Sequence, residues 1–70
     1  MERQAVQSSN LQSIGYDEKT QTLEVEFIRG DVYQYTNVPQ HVYDELMSAK
    51  SLGKYLNQHI ARQYDFSKAD

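Results

Sequence analysis

The sequence predicts an α+β domain, a three-stranded antiparallel meander followed by two helices packed on one face of the sheet. Two observations carry this. Between Leu11 and Val38 apolar residues alternate with polar ones over short runs joined by polar links, the period of half-buried strands. From Pro39 onward the apolar spacing changes to i, i+3, i+4, i+7, the period of amphipathic helices. Consecutive strands with short links and trailing helices give an α+β architecture.

Residues 1–10 are polar and weakly patterned, so the start of the chain is expected to be loosely held. The first strand begins at Leu11. Simple alternation puts Ile14 and Tyr16 on one side and Leu11, Ser13 and Gly15 on the other. Asp17–Gln21 is a polar connection, after which Leu23, Val25 and Phe27 alternate with Glu24 and Glu26. The two glutamates are expected on the wet face of that second strand.

The turn at Ile28-Arg29-Gly30-Asp31 has two readings. A two-residue turn at Gly30-Asp31 would pair Arg29 with Val32 and put Tyr33 and Tyr35 on the face of Glu24 and Glu26. A three-residue turn with Gly30 left-handed would pair Phe27 with Asp31, placing Tyr33 opposite Val25 and Tyr35 opposite Leu23. A register slip of one flips every side chain, so only one reading holds. The second is favoured because it unites five large apolar residues, although it leaves Ile28 in the turn.

Pro39 suits a helix first turn, where its missing N–H costs nothing. Val42, Tyr43, Leu46, Ala49 and Lys50 form the stripe of the first helix, with His41, Asp44, Glu45 and Ser48 opposite. Ser51 is the expected N-cap of the second. Its stripe is Leu52, Tyr55, Leu56, His59, Ile60 and Tyr64, with Gln58, Arg62 and Gln63 outside. The tail Asp65–Asp70 is polar apart from Phe66 and is expected to fray. The chain is thus expected to form a single domain over residues 1–70, with its core from about Val6 to Tyr64 and ragged ends.

Composition narrows the function classes. A chain of 70 residues buries only about 60% of the surface its unfolded form exposes. Without cysteine there is no disulfide framework and no thiolate metal site, which fits a reducing interior. No apolar run approaches the ~20 residues of a membrane span, and Met1-Glu2-Arg3-Gln4 lacks the apolar core of a secretory signal. A cytoplasmic protein is the expectation. The net charge of −3 supplies no global field toward nucleic acid or an anionic membrane, so any anion site must be local.

The chemistry-bearing residues are few. His41, Asp44 and Glu45 sit at i, i+3 and i+4, but a helix's solvated face carries the same residues, and no further ligand is evident for a metal. His59 reads as a core-edge residue rather than a catalyst. Arg29-Gly30-Asp31 spells an integrin-binding tripeptide and reads as a turn. Gly53-Lys54 is followed by Tyr55 rather than Ser or Thr, so it is not a phosphate loop. Ser51, Gly53 and Lys54 still stand at a helix start, which favours an anion, or else Ser51 caps and Gly53 permits close packing. Tyr33 and Tyr35 could stack bases, although the helices need that same apolar face as the sheet's half of the core. No catalytic constellation, cofactor site or metal site is expected.

The ordered set Ser8-Ser9-Asn10-Leu11, Ile14-Gly15-Tyr16-Asp17, Leu23–Phe27, Gly30, Tyr33-Gln34-Tyr35, Asn37-Val38-Pro39, Val42-Tyr43 and Ser51–Asn57 resembles the KTSC family. That family is named for a domain at the C-terminus of some lysyl-tRNA synthetases and also occurs as free-standing small bacterial proteins. The resemblance runs from about Val6 to Tyr64 and implies RNA as a candidate ligand through the synthetase context, although this chain is acidic. The expectation is a small non-enzymatic binding module, taking RNA or an anion weakly through Tyr33, Tyr35, Ser51, Gly53, Lys54 and Asn57, with Arg29 and Arg62 nearby. The alternative is a protein-interaction module or homodimer acting through an exposed sheet edge.

Overall fold

The turn between the second and third expected strands sets the frame. In the computed structural model, which describes residues 1–69, the Phe27 N–H donates to Asp31 O at 2.8 Å and the Gly30 N–H donates to Phe27 O at 2.8 Å. Gly30 has φ +110°. This is the three-residue turn, and the register follows from it: Tyr35 lies opposite Leu23 and Tyr33 opposite Val25. Ile28 is left in the turn, 54% exposed.

The sheet has five antiparallel strands rather than three, in sequence order: β1 (Gln4–Ala5), β2 (Leu11–Asp17), β3 (Thr22–Phe27), β4 (Val32–Tyr35) and β5 (Phe66–Lys68). Helix α1 (Gln40–Ser48) and the short α2 (Leu52–Tyr55) lie between β4 and β5, and α2 continues as a π-helical turn over Leu56–Ile60. The expected meander is therefore its middle three strands, β2 to β4. Each end of the chain adds a strand that periodicity misses, because two or three residues are too few to show alternation. Gln4 pairs with Ile14 and Ala5 with Ser13, while Phe66 pairs with Tyr35 and Lys68 with Tyr33. The expected fraying tail is thus sheet over Phe66–Lys68, and Asp70 lies outside the described residues.

Two further expectations are corrected. Simple alternation predicts Leu11 on the face of Ser13 and Gly15, but the register shifts between Leu11 and Ser13. The extra residue of that bulge turns Leu11 onto the face of Ile14 and Tyr16, where it is buried. Alternation also predicts Glu24 on the wet face, yet it is only 7% exposed. The N-terminal segment covers it, with the Glu2 carbonyl so close to Gly15 that a Cβ there would come within 2.5 Å of it. Only glycine lets the segment lie that low. Arg3 then donates to the Glu24 carboxylate and, through Nε, to Ser13 Oγ at 2.9 Å. Ser13 donates to Glu26 at 2.7 Å, and Gln34 donates to Glu24 at 2.8 Å. Burial pushes the Glu24 carboxyl up, but the hydrogen bonds from Gln34 and Arg3 and the Arg3 charge outweigh it and hold the group below its ordinary value of 4.5.

The helices cover the other face. Ile14, Leu23, Val25 and Tyr35 of the sheet pack with Val42 and Leu46 of α1 and with Leu56 and Ile60 of the π-helical turn. Tyr16 fixes α1 on the sheet: its ring stacks on Tyr43 at 4.8 Å, and its hydroxyl donates to Val38 O at 2.5 Å. No described helix is long and apolar enough to cross a membrane.

Replacing Arg3 by Ala leaves Glu24 covered but short of a donor, with an expected loss of about 1–2 kcal/mol and a melting point lower by about 4–8 °C per kcal/mol. Because the Glu24 value is depressed in the fold, its contribution is fully present above about pH 5 and disappears as pH falls through the folded value. Thermal unfolding of both chains from pH 7 downward should show their difference closing on the acid side. A constant difference at every pH would remove the Arg3–Glu24 pair from the account.

Candidate functional site

The face that the helices leave uncovered at the β3–β4–β5 end opens as a groove of about 620 Å³ between the sheet and the second helix, within the usual size range of ligand sites. Leu11, Tyr35 and Leu56, all buried, line its depth. Phe27, Tyr33 and Phe66 form an aromatic wall. The Tyr33 ring meets Phe27 edge-on at 5.4 Å and stacks on Phe66 at 5.2 Å with 17° between planes. Phe66 is 55% exposed, so the wall is accessible. The Arg29 guanidinium lies 5.0 Å from the Phe27 ring centre, a cation–π contact. Arg29 also pairs with Asp31, whose other carboxylate oxygen is 3.4 Å from Lys68 Nζ. The hydrogen bond from Arg29 is the main cause that holds the Asp31 carboxyl below its ordinary value.

A second depression of about 300 Å³ adjoins the groove and differs from it in chemistry. Ser8, Ser9, Lys50, Ser51 and Lys54 line it, and Ser9, Asn10, Gly53 and Asn57 border both depressions. Its two sides are held by local hydrogen bonds. Ser8 Oγ accepts from the backbone N–H of Asn10 and Leu11. Ser51 Oγ accepts from the Lys54 N–H at 3.3 Å, as its N-cap position requires. They meet at Gly53, where a Cβ would stand 3.2 Å from Asn10 Nδ2, so the Ser8–Asn10 loop packs against the helix because that residue has no side chain. The charged residues lining the two depressions are Arg29, Lys50 and Lys54. A third depression, beside Tyr16 and Tyr43, is lined instead by Glu2, Asp17, Glu18 and Lys19. The chain is acidic as a whole, and its groove is not.

All six expected binding residues border this pair of depressions. Tyr33, Tyr35, Gly53 and Asn57 line the groove, and Ser51, Gly53, Lys54 and Asn57 line its polar neighbour. The two tyrosines divide the roles left open in the sequence: Tyr35 is 3% exposed and belongs to the core, while Tyr33 is half-buried at its edge. Arg29 is at the groove, and Arg62 is exposed and does not line it. His59 is exposed with its ring 4.6 Å from that of Tyr55, not on the buried stripe. The cause is the π-helical turn, closed by the Ala61 N–H donating to Leu56 O at 2.7 Å, which breaks the 3.6-residue period. Asn10, Ser9 and Phe66 were missed as site residues. The turn chemistry of Ser8-Ser9-Asn10 and the single apolar residue in a polar tail were the available signals.

Comparison with known proteins agrees with the fold. The KTSC domain family model matches residues 7–64. An uncharacterised protein of Stutzerimonas stutzeri is 48% identical over 64 residues, spanning 91% of this chain and 90% of that protein. A lysine–tRNA ligase of Nostoc punctiforme is 37% identical over 62 residues, which are 89% of this chain and 11% of the ligase. The crystal structure of a KTSC domain protein from Yersinia pestis superposes with a TM-score of 0.93 at 37% identity, covering 99% of this chain and 97% of that one.

The two helices are tied beside the polar depression by Tyr55, whose hydroxyl donates to Glu45 at 2.6 Å. That bond, with smaller contributions from burial and the Glu45 charge, pushes the phenol up to about 12. A raised folded value stabilises the fold below the ordinary tyrosine range near pH ~10 and is lost as pH rises through the folded value. In Glu45→Gln the Tyr55 ring carbons, followed by NMR, should titrate closer to the ordinary value. An unchanged Tyr55 titration would refute the assignment.

Proposed function

The chain belongs to the KTSC domain family, and on that premise we propose that it is a non-enzymatic cytoplasmic module that binds single-stranded RNA weakly in the aromatic groove. The observation that carries the reading is the pairing of an accessible aromatic wall, Phe27–Tyr33–Phe66, with a lining whose charged residues are cations. Base–aromatic stacking is worth about 1–3 kcal/mol per base and tolerates any sequence. With Arg29 held by Asp31, Lys50 and Lys54 allow only a few phosphate contacts, and the net charge of −3 opposes the rest of a polyanion. Affinities of about micromolar to millimolar follow. The similarity to a segment of proteins named lysine–tRNA ligase supports RNA as the ligand class. The absence of Asp, Glu and His from the described lining of the two depressions supports binding over acid–base catalysis.

The second reading is a protein partner or homodimer at a sheet edge. The exposed Phe66 on β5 favours it. Against it, the outer edges of β2 and β4 are already paired, and β1 and β5 present only two and three residues. Sedimentation of the full chain as a monomer at high concentration would count against the dimer.

Titrating the chain with single-stranded RNA and with tRNA at low salt should shift the amides of Phe27, Tyr33 and Lys54. Tyr33→Leu, which keeps apolar bulk and loses the ring face, should weaken binding about 5- to 100-fold. The slope of log K against log salt should be shallow, no steeper than about −1.4 for two single-strand phosphate contacts. No amide shift at millimolar RNA would end the reading.

A further inference from the structure

The two depressions differ in chemistry and share a border, and a single ligand type matches both halves. The groove of about 620 Å³ offers ring faces and one guanidinium. The depression of about 300 Å³ offers three serines and two lysines and no aromatic side chain. A flat aromatic body suits the first and a compact anion the second. Asn10 and Asn57 stand on the common border, each with a carboxamide that can both donate and accept. A group between the flat body and the anion would meet those two amides, and in a ribonucleotide that group is the sugar with its 2′-hydroxyl.

We propose that the two depressions form one ribonucleotide site: the base lies along Tyr33 and Phe66, its phosphate lies between the Ser8–Asn10 loop and Lys50 and Lys54, and the ribose crosses the Asn10–Asn57 border. This deepens the RNA reading and rests on it. It adds a polarity, with the phosphate end toward Lys54 and the base end toward β5, and a footprint of one nucleotide per protein. It also assigns the lysines to the phosphate rather than to general attraction. Arg29 is committed to Phe27 and Asp31, so Lys50 and Lys54 are the cations left for the anion. Neither is among the ion pairs of the described residues. The 2′-hydroxyl is the atom by which a protein separates RNA from DNA, and two amides at the ribose position give the site that preference.

The test uses the full chain, labelled for amide NMR, with four probes at low salt: 5′-AMP, adenosine, inorganic phosphate and single-stranded oligoadenylate. The expected result is that adenosine shifts Phe27, Tyr33 and Phe66, phosphate shifts Ser8, Ser51 and Lys54, and 5′-AMP shifts both sets. 5′-AMP should bind about tenfold or more tighter than adenosine, the gain expected of a charge-assisted contact. Lys54→Gln should remove that gain and leave adenosine binding unchanged, and Asn57→Ala should reduce the preference for 5′-AMP over its 2′-deoxy form. Tighter binding of oligoadenylate than of 5′-AMP identifies an RNA strand as the source of the nucleotide, and the reverse order identifies a free nucleotide. Equal affinity of 5′-AMP and adenosine, or an unshifted polar set, overturns the site. If oligoadenylate still shifts the aromatic set in that case, RNA binding stands and only the nucleotide polarity fails. If none of the four probes shifts an amide, both fail.

Discussion

The register set by the Ile28–Gly30 turn is the constraint on which the other features depend. Because strand side chains alternate, the turn decides as a block which residues face the helices. With Tyr33 opposite Val25 and Tyr35 opposite Leu23, the apolar residues of β3 and both tyrosines of β4 share one face, and Val32 lies on the other beside Glu26. The core, the aromatic wall and the polar network on the reverse side are then all determined together. The alternative turn would have put Tyr33 and Tyr35 on the face of Glu24 and Glu26, away from the helices, and set Gln34 beside Phe27 on the core face. Losing both rings from the core face would cost more than the exposure of Ile28.

The reverse side shows how a small domain covers a sheet without a second apolar layer. The N-terminal segment is laid over Gly15, and Arg3 is shared among Glu24, Glu26 and Ser13. Such a cover contributes little apolar burial. It satisfies polar groups instead, and no described buried side-chain nitrogen or oxygen lacks a partner. Of these groups only Glu24 and Ser13 are buried, and removing their partner would leave a covered carboxylate short of a donor.

The middle of the chain was legible and its ends were not. The strands Leu11–Asp17, Thr22–Phe27 and Val32–Tyr35 and the helix from Gln40 each span enough residues for a period to show. The turn was readable because Gly30 and the five apolar residues agreed on one answer. What periodicity could not give was anything made by pairing across the sequence. Gln4–Ala5 and Phe66–Lys68 are strands only because β2 and β4 offer them an edge. Glu24 is buried in the same way, by the N-terminal segment laid over it, whereas the bulge that turns Leu11 inward and the π-helical turn that exposes His59 are irregularities of one residue, which a period averages away. The site was half legible for the same reason. Tyr33, Gly53, Lys54 and Asn57 sit inside regular elements, whereas Asn10 and Phe66 reach the groove from the segments that looked unpatterned.

β5 has a kinetic consequence. It meets β4 only after an excursion of about thirty residues, a closure that costs roughly 3 kcal/mol of chain entropy, and its three residues are all exposed. Few bonds therefore hold the longest loop in the sheet, so β5 is expected to open more easily than the core strands β2 to β4 and to close after them in folding. Phe66 travels with it. One wall of the groove thus belongs to the last-made edge of the sheet rather than to its core, and an occupant packed against Phe66 would also brace that edge.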